Sequence, residues 1–120
     1  MTEDEVLRFI ANSIPSIWAL ELLFLLQSSE DIGRTMDDLV MDLRSSSTAI
    51  AQAIRQLQNS GLVIEDAHRY IYRPASPILD LFAREARKLY AVKPLSVLKV
   101  IGSARNENLQ RFADSFKLKE

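Results

Sequence analysis

The sequence predicts a mainly α-helical chain with one small β-hairpin and a C-terminal helical extension. Three observations carry this. Apolar residues recur at helical spacing in one stretch after another, with Ser, Thr or Pro where the helices would begin. Two such stretches, about 35–43 and 46–60, are joined across a run of serines, and the second stops at Gly61. Two β-prone runs follow, Leu62-Val63-Ile64 and Tyr70-Ile71-Tyr72, around the polar turn Asp66-Ala67-His68. The expected division is 1–74 for the central unit and 75–120 for the extension, within one compact domain.

The elements follow in order. Residues 2 to about 12 form a short helix, with Val6, Leu7, Phe9 and Ile10 on one side and Glu3, Asp4 and Glu5 at its start. Pro15 suits the first turn of the next helix, capped by Ser13 or Ser16. That helix, to about Ser28, is apolar on nearly every side and is expected to be central. Trp18 within it reads as core or as part of a dimer seam, and Glu21 as an edge or ion-paired residue. A polar loop with Gly33 leads to Thr35, an N-cap with Asp38 three residues on. Met36, Leu39, Val40 and Leu43 give the inward side of a two-turn helix.

Ser46 or Ser47 caps the following helix. Its inward stripe is Ile50, Ala53, Ile54 and Leu57. Its opposite face reads Thr48, Ala49, Gln52, Arg55, Gln56 and Asn59. Gly61 suits a left-handed cap. Pro74 ends the second strand. Ser76-Pro77 opens a helix with a stripe of Ile78, Leu81, Phe82, Ala86, Leu89 and Tyr90. Pro94 separates a helix from Leu95 to about Ser103. After a hinge over 102–106, Leu109, Phe112, Ala113 and Phe116 mark a last amphipathic helix.

Composition limits what such a chain does. At 120 residues, 48% hydrophobic and 26% charged, it can bury a core without covalent staples. The absence of cysteine removes disulfides, thiolate nucleophiles and thiolate metal sites. The acidic start is not that of a secretory signal, and the longest apolar run, Ile17 to Leu26, is about half a membrane span. No membrane association is expected, and the expected location is cytoplasmic. The net charge of −1 hides an asymmetry. Up to Leu43 nine acids stand against two bases, whereas from Arg44 onward thirteen bases stand against seven acids. This is either ordinary surface charge or a second part that faces a polyanion.

Thr35, Leu39, Leu43-Arg44-Ser45-Ser46-Ser47-Thr48, Ile50, Ala53-Ile54-Arg55-Gln56-Leu57 and Ser60-Gly61-Leu62-Val63 form a recognisable series. This stretch of about forty residues resembles the winged helix-turn-helix transcriptional regulators of the MarR and ArsR type. The resemblance implies a recognition helix over about 46–60 in the DNA major groove and a wing over about 62–73. It is a resemblance to a superfamily.

The residues support that use on physical grounds. A major groove admits one α-helix, provided its outer face carries groups that pair with base edges. Gln52 and Gln56 match adenine and Arg55 matches guanine. Ser46, Ser47 and Thr48 stand at a helix N-terminus, where hydroxyls, free N–H groups and the helix dipole favour phosphate. Arg44 adds charge, and His68 and Arg69 lie at the wing. Glu65 and Asp66 oppose DNA there, a departure from basic wings that Arg73 and the Arg84–Lys88 group would have to offset. The expected partners are double-stranded DNA and a second copy of the chain, with the extension as dimer surface. The competing expectation is a module of the same fold that binds protein and not DNA. An enzyme is not expected: one histidine, three glycines and no phosphate loop leave no catalytic constellation. No metal site and no cofactor are expected. A space among Trp18, Phe24, Phe82 and Tyr90 reads as core rather than as an effector pocket.

Overall fold

The computed structural model describes residues 1–102. The expected hinge and final helix, with Leu109, Phe112, Ala113 and Phe116, lie outside the described residues. The described chain is mainly helical, with one two-stranded antiparallel sheet. In order, the elements are α1 (Glu3–Ser13), α2 (Ile17–Ser29), a 3-10 turn (Glu30–Ile32), α3 (Met36–Leu43), α4 (Ser47–Asn59), β1 (Val63–Asp66), β2 (Arg69–Tyr72) and α5 (Pro77–Val92). Residues 94–102 form a further helical run.

The caps explain where the helices start. Thr2, Ser46 and Ser76 each accept a backbone N–H from three residues ahead. At α3 the exchange is reciprocal: Thr35 Oγ1 accepts from the Asp38 N–H, and Asp38 Oδ2 accepts from the Thr35 N–H. Ser16, rather than Ser13, caps α2, its Oγ accepting from the Ala19 N–H at 3.1 Å. Pro15 therefore lies before the cap and outside the first turn. It helps the chain turn by 108° between α1 and α2.

α2 is the central helix, as its all-round apolar pattern requires. Leu20, Leu22, Leu23 and Leu26 have no exposed surface, and each contributes about 1.5–3 kcal/mol of burial. α4 packs on one side of α2, β2 crosses another, and α1 packs along α5. Ile50, Ala53, Ile54 and Leu57 form the buried stripe of α4, as their spacing predicts. Ring pairs fasten the outer layer: Phe9 stacks on Phe82 with centroids 5.2 Å apart, and Phe24 meets Tyr90 at 5.7 Å. These pairs fill packing space rather than line one cavity. Trp18 is 38% exposed and does not belong to the core. It stands in the first turn of α2, next to the still more exposed Ile17, before the helix enters the interior. Glu21 is exposed, an edge residue.

α5 also differs from expectation. Its inward side is Leu79, Phe82, Ala83, Ala86, Leu89 and Tyr90. Ile78 and Leu81, expected on that side, are exposed. Two small residues, Ala83 and Ala86, are fully buried on α5. Their size permits close approach to the core, and this rotates the bulkier Ile78 and Leu81 outward.

The hairpin pairs Val63 with Tyr72, Ile64 with Ile71, Glu65 with Tyr70 and Asp66 with Arg69. Each strand is one to two residues longer at the tip than expected. The turn is therefore only Ala67-His68, both at positive φ (51° and 64°), the mirror-image turn that suits the twist of paired strands. Arg34 adds one rung to the sheet: its N–H donates to Tyr70 O and its carbonyl accepts from the Tyr70 N–H. Gly33, at φ 70° and ψ −173°, brings the chain there. A Cβ at that position would lie 2.6 Å from Tyr70 O, so glycine is required by both backbone and space. Gly61, at φ 75°, ends α4 as expected.

Candidate nucleic-acid interface

The candidate site is built on α3, the turn after it, α4 and the hairpin. Leu39 is fully buried and anchors α3 against the core. Arg44 then takes a left-handed conformation (φ 50°, ψ 47°), and its N–H closes on Val40 and Met41. Ser45 donates its N–H to Val40 O, and Ser46 starts α4. The turn is thus three residues long and fixes α4 against α3 through hydrogen bonds.

With the apolar stripe inward, α4 presents Thr48, Gln52, Arg55 and Asn59, all exposed. Their spacing of four, three and four places them on one line along the helix. Ser46 and Ser47 are exposed at its start. The Ser46 oxygen accepts from the Ala49 N–H at 3.2 Å, which leaves its hydroxyl hydrogen to donate outward. Gln56 does not join this line. It is half-buried, and its Oε1 accepts from Ser16 Oγ at 3.1 Å, so it ties α4 to the start of α2. Three residues after the buried Ala53 and one before the buried Leu57, it lies on the flank of the stripe, and nearby Ser16 captures it. Asn59 takes the place expected of Gln56. The signal for it was in the sequence, as the fourth position of the line through Thr48, Gln52 and Arg55.

His68 and Arg69 are exposed at the hairpin tip. Arg69 stands opposite Asp66 in the strand register, and its charge also reaches Asp38. The Thr35 backbone N–H and then its hydroxyl hold the Asp38 carboxyl below its usual range, with smaller contributions from Arg69 and Arg34. Arg34 bonds to Asp42 at 2.6 Å and to Ser29 Oγ, and Arg73 lies 3.9 Å from Asp31. Arg44, Arg55 and Arg69 make no ion pair among the described residues. Over residues 34–73 five arginines meet five carboxylates. The surface is therefore polar, without a net positive charge.

The cations of α5 are engaged within the protein. Arg84 Nε donates to both Asp80 oxygens at 3.0 Å. Arg87 donates to Ser28 Oγ at 2.8 Å and to Phe24 O, capping the end of α2. Asp80 also accepts from the Tyr72 hydroxyl at 2.7 Å. That bond leads in holding the Asp80 carboxyl low, while burial and then the bond to Asp80 push Tyr72 up to about 12. The side-chain amide of Gln27 lies buried beside the Tyr72 hydroxyl.

Among the described residues no group of three or more His, Cys, Asp or Glu is placed to hold a metal ion. No single helix there is long and apolar enough to cross a membrane. Comparison with protein-family models, characterised proteins and solved structures finds no match.

Proposed function

We propose that the chain is a winged helix-turn-helix protein that binds double-stranded DNA in a sequence-specific way, as a transcriptional regulator. α4 enters the major groove, and the hairpin lies beside it as the wing. One observation carries this reading: the outer line of Thr48, Gln52, Arg55 and Asn59 on a helix whose apolar stripe is wholly buried. Arg55 suits guanine and Gln52 suits adenine, while Asn59 adds a second amide. Ser46, Ser47 and Arg44 contact phosphate at the helix N-terminus. A two-fold pair of chains reads half-sites about one helical turn apart.

The charge balance sets the character of the binding. With Arg44 and Arg69 as the phosphate-facing cations, log affinity falls against log salt with a slope of about −2 per chain. Fluorescence anisotropy with mixed duplex fragments at low and then moderate salt tests this. A salt-dependent rise in anisotropy that Arg55→Ala removes supports the reading. No rise even at low salt sinks it.

A second reading has its own observation. α3 exposes Asp37 and Asp42 around Met41, which is 76% exposed. An acidic helix with an apolar centre suits a basic protein partner better than a phosphate backbone. In that reading the fold serves protein binding, and Arg55→Ala is without effect on any DNA.

A further inference from the structure

α5 carries a second apolar strip, on its flank beside the start of α1. Ile78, Leu81 and Val92 are 55%, 45% and 76% exposed. With Glu85 and Lys88 they recur at steps of three, four, three and four: 78, 81, 85, 88, 92. This is the spacing with which one helix packs along another. Glu85 Oε1 and Lys88 Nζ stand 3.3 Å apart at the middle of the strip. Apolar ends around a charged centre are not what a plain solvated face presents.

The strip complements itself in one orientation. Two copies of α5 laid antiparallel, about an axis between residues 86 and 87, bring Leu81 of each against Val92 of the other. Glu85 of each then faces Lys88 of the other. Ile78 falls opposite the stretch past Val92, where Leu95 is 80% exposed. The parallel pair and the nearest slipped registers meet like charges. A parallel pair sets Glu85 against Glu85 and Lys88 against Lys88. An antiparallel pair slipped by three residues either way brings one of those like pairs to the axis. Such repulsion selects orientation and register.

We propose that α5 is the self-association surface of the protein, and that two copies pair through it antiparallel with Glu85–Lys88 contacts at the centre. This names the surface for the dimer proposed above and rests on no DNA contact. α5 has sixteen residues. The overlap of residues 81–92 spans about 18 Å, and so narrow a seam falls short of a standard interface, giving a dissociation constant on the order of micromolar.

The test uses the full chain without DNA. Sedimentation equilibrium over about 1–300 µM, spanning the association range argued above, yields a monomer–dimer equilibrium. Glu85→Lys weakens it at least tenfold. The double variant Glu85→Lys with Lys88→Glu regains it, because the opposite charges face each other again. The native chain has no cysteine, so placed thiols report orientation cleanly. On mild oxidation a mixture of Leu81→Cys and Val92→Cys proteins gives a disulfide-linked pair, whereas either protein alone does not. A chain monomeric throughout that range overturns the proposal, and so does efficient cross-linking of Leu81→Cys to itself. Circular dichroism melts of each variant separate lost pairing from lost folding. DNA binding plays no part in these readouts, so they fail or succeed apart from the proposed recognition by α4.

Discussion

α4 and α5 are built alike and present opposite outer faces. Each starts at a serine cap and buries one side against the core. α4 then shows solvent a line of hydroxyl, amide and guanidinium groups, whereas α5 shows Ile78, Leu81 and Val92. Hydrogen-bonding groups on a held helix lose little to water and can be matched by base edges or phosphates. Exposed aliphatic groups gain only when another apolar surface covers them. The difference is the ground for proposing α4 for nucleic acid and α5 for protein, in one chain with no net positive charge to blur the two.

The largest effect comes from removing the support that α4 and its hairpin share. Gly33→Ala places a Cβ against Tyr70 O in a backbone region open almost only to glycine. Urea unfolding is expected to show a loss of roughly 3 kcal/mol or more. An unchanged midpoint would mean that the Arg34–Tyr70 rung does not hold the hairpin.

Arg55→Ala is expected to lower affinity for a specific duplex by about 1–3 kcal/mol, while stability moves by less than about 0.5 kcal/mol. Sedimentation of the same variant should match the parent. A shift in self-association with Arg55→Ala would merge the two surfaces that the exposed faces separate.

Tyr72→Phe cuts the link between the hairpin and α5, and should cost about 1 kcal/mol at neutral pH. Its pH signature is specific. The folded state raises Tyr72 from 10.0 to about 12, so the folded form holds the proton more tightly. That stability is present below pH 10 and is lost as pH rises from 10 to about 12. The parent should lose stability across that window more steeply than Tyr72→Phe. Tyr70, also raised by burial, leaves the variant some slope. Equal slopes would show that Tyr72 does not sense its surroundings.

The smallest expected change is a gain. Ala67→Gly relieves a positive φ at the hairpin tip and should raise stability by about 0.5–1 kcal/mol. DNA affinity should be unchanged or slightly lower, since glycine loosens the tip.

Much of the fold was legible because its signals are local. Caps, the α4 stripe, the Gly61 stop and the hairpin each depend on residues close together in sequence. The misses are tertiary. Gln56 has the right residue type and nearly the right helical position, but Ser16, forty residues earlier, takes its amide oxygen. Ile78 and Leu81 fit an inward stripe by spacing alone, until Ala83 and Ala86 bring α5 close to the core on a rotated face. Trp18 is apolar and large, yet the first turn of α2 lies outside the interior. Arg84 and Arg87 look like free cations in sequence, and Asp80 and the end of α2 occupy them. Hydropathy gives a helix its sides, and neighbours distant in sequence decide which way each side turns.

The Tyr72–Asp80 bond reaches across only eight residues, and both Pro74 and Pro77 stiffen the connection between them. The hairpin and the first turn of α5 are thus clamped at both ends of a short strut. In a pair joined through α5, the separation of the two hairpins is set like the jaws of a caliper, by the α5 register and not by slack in the connecting chain. Sliding that register by one helical turn would open or close the jaws by about 5.4 Å.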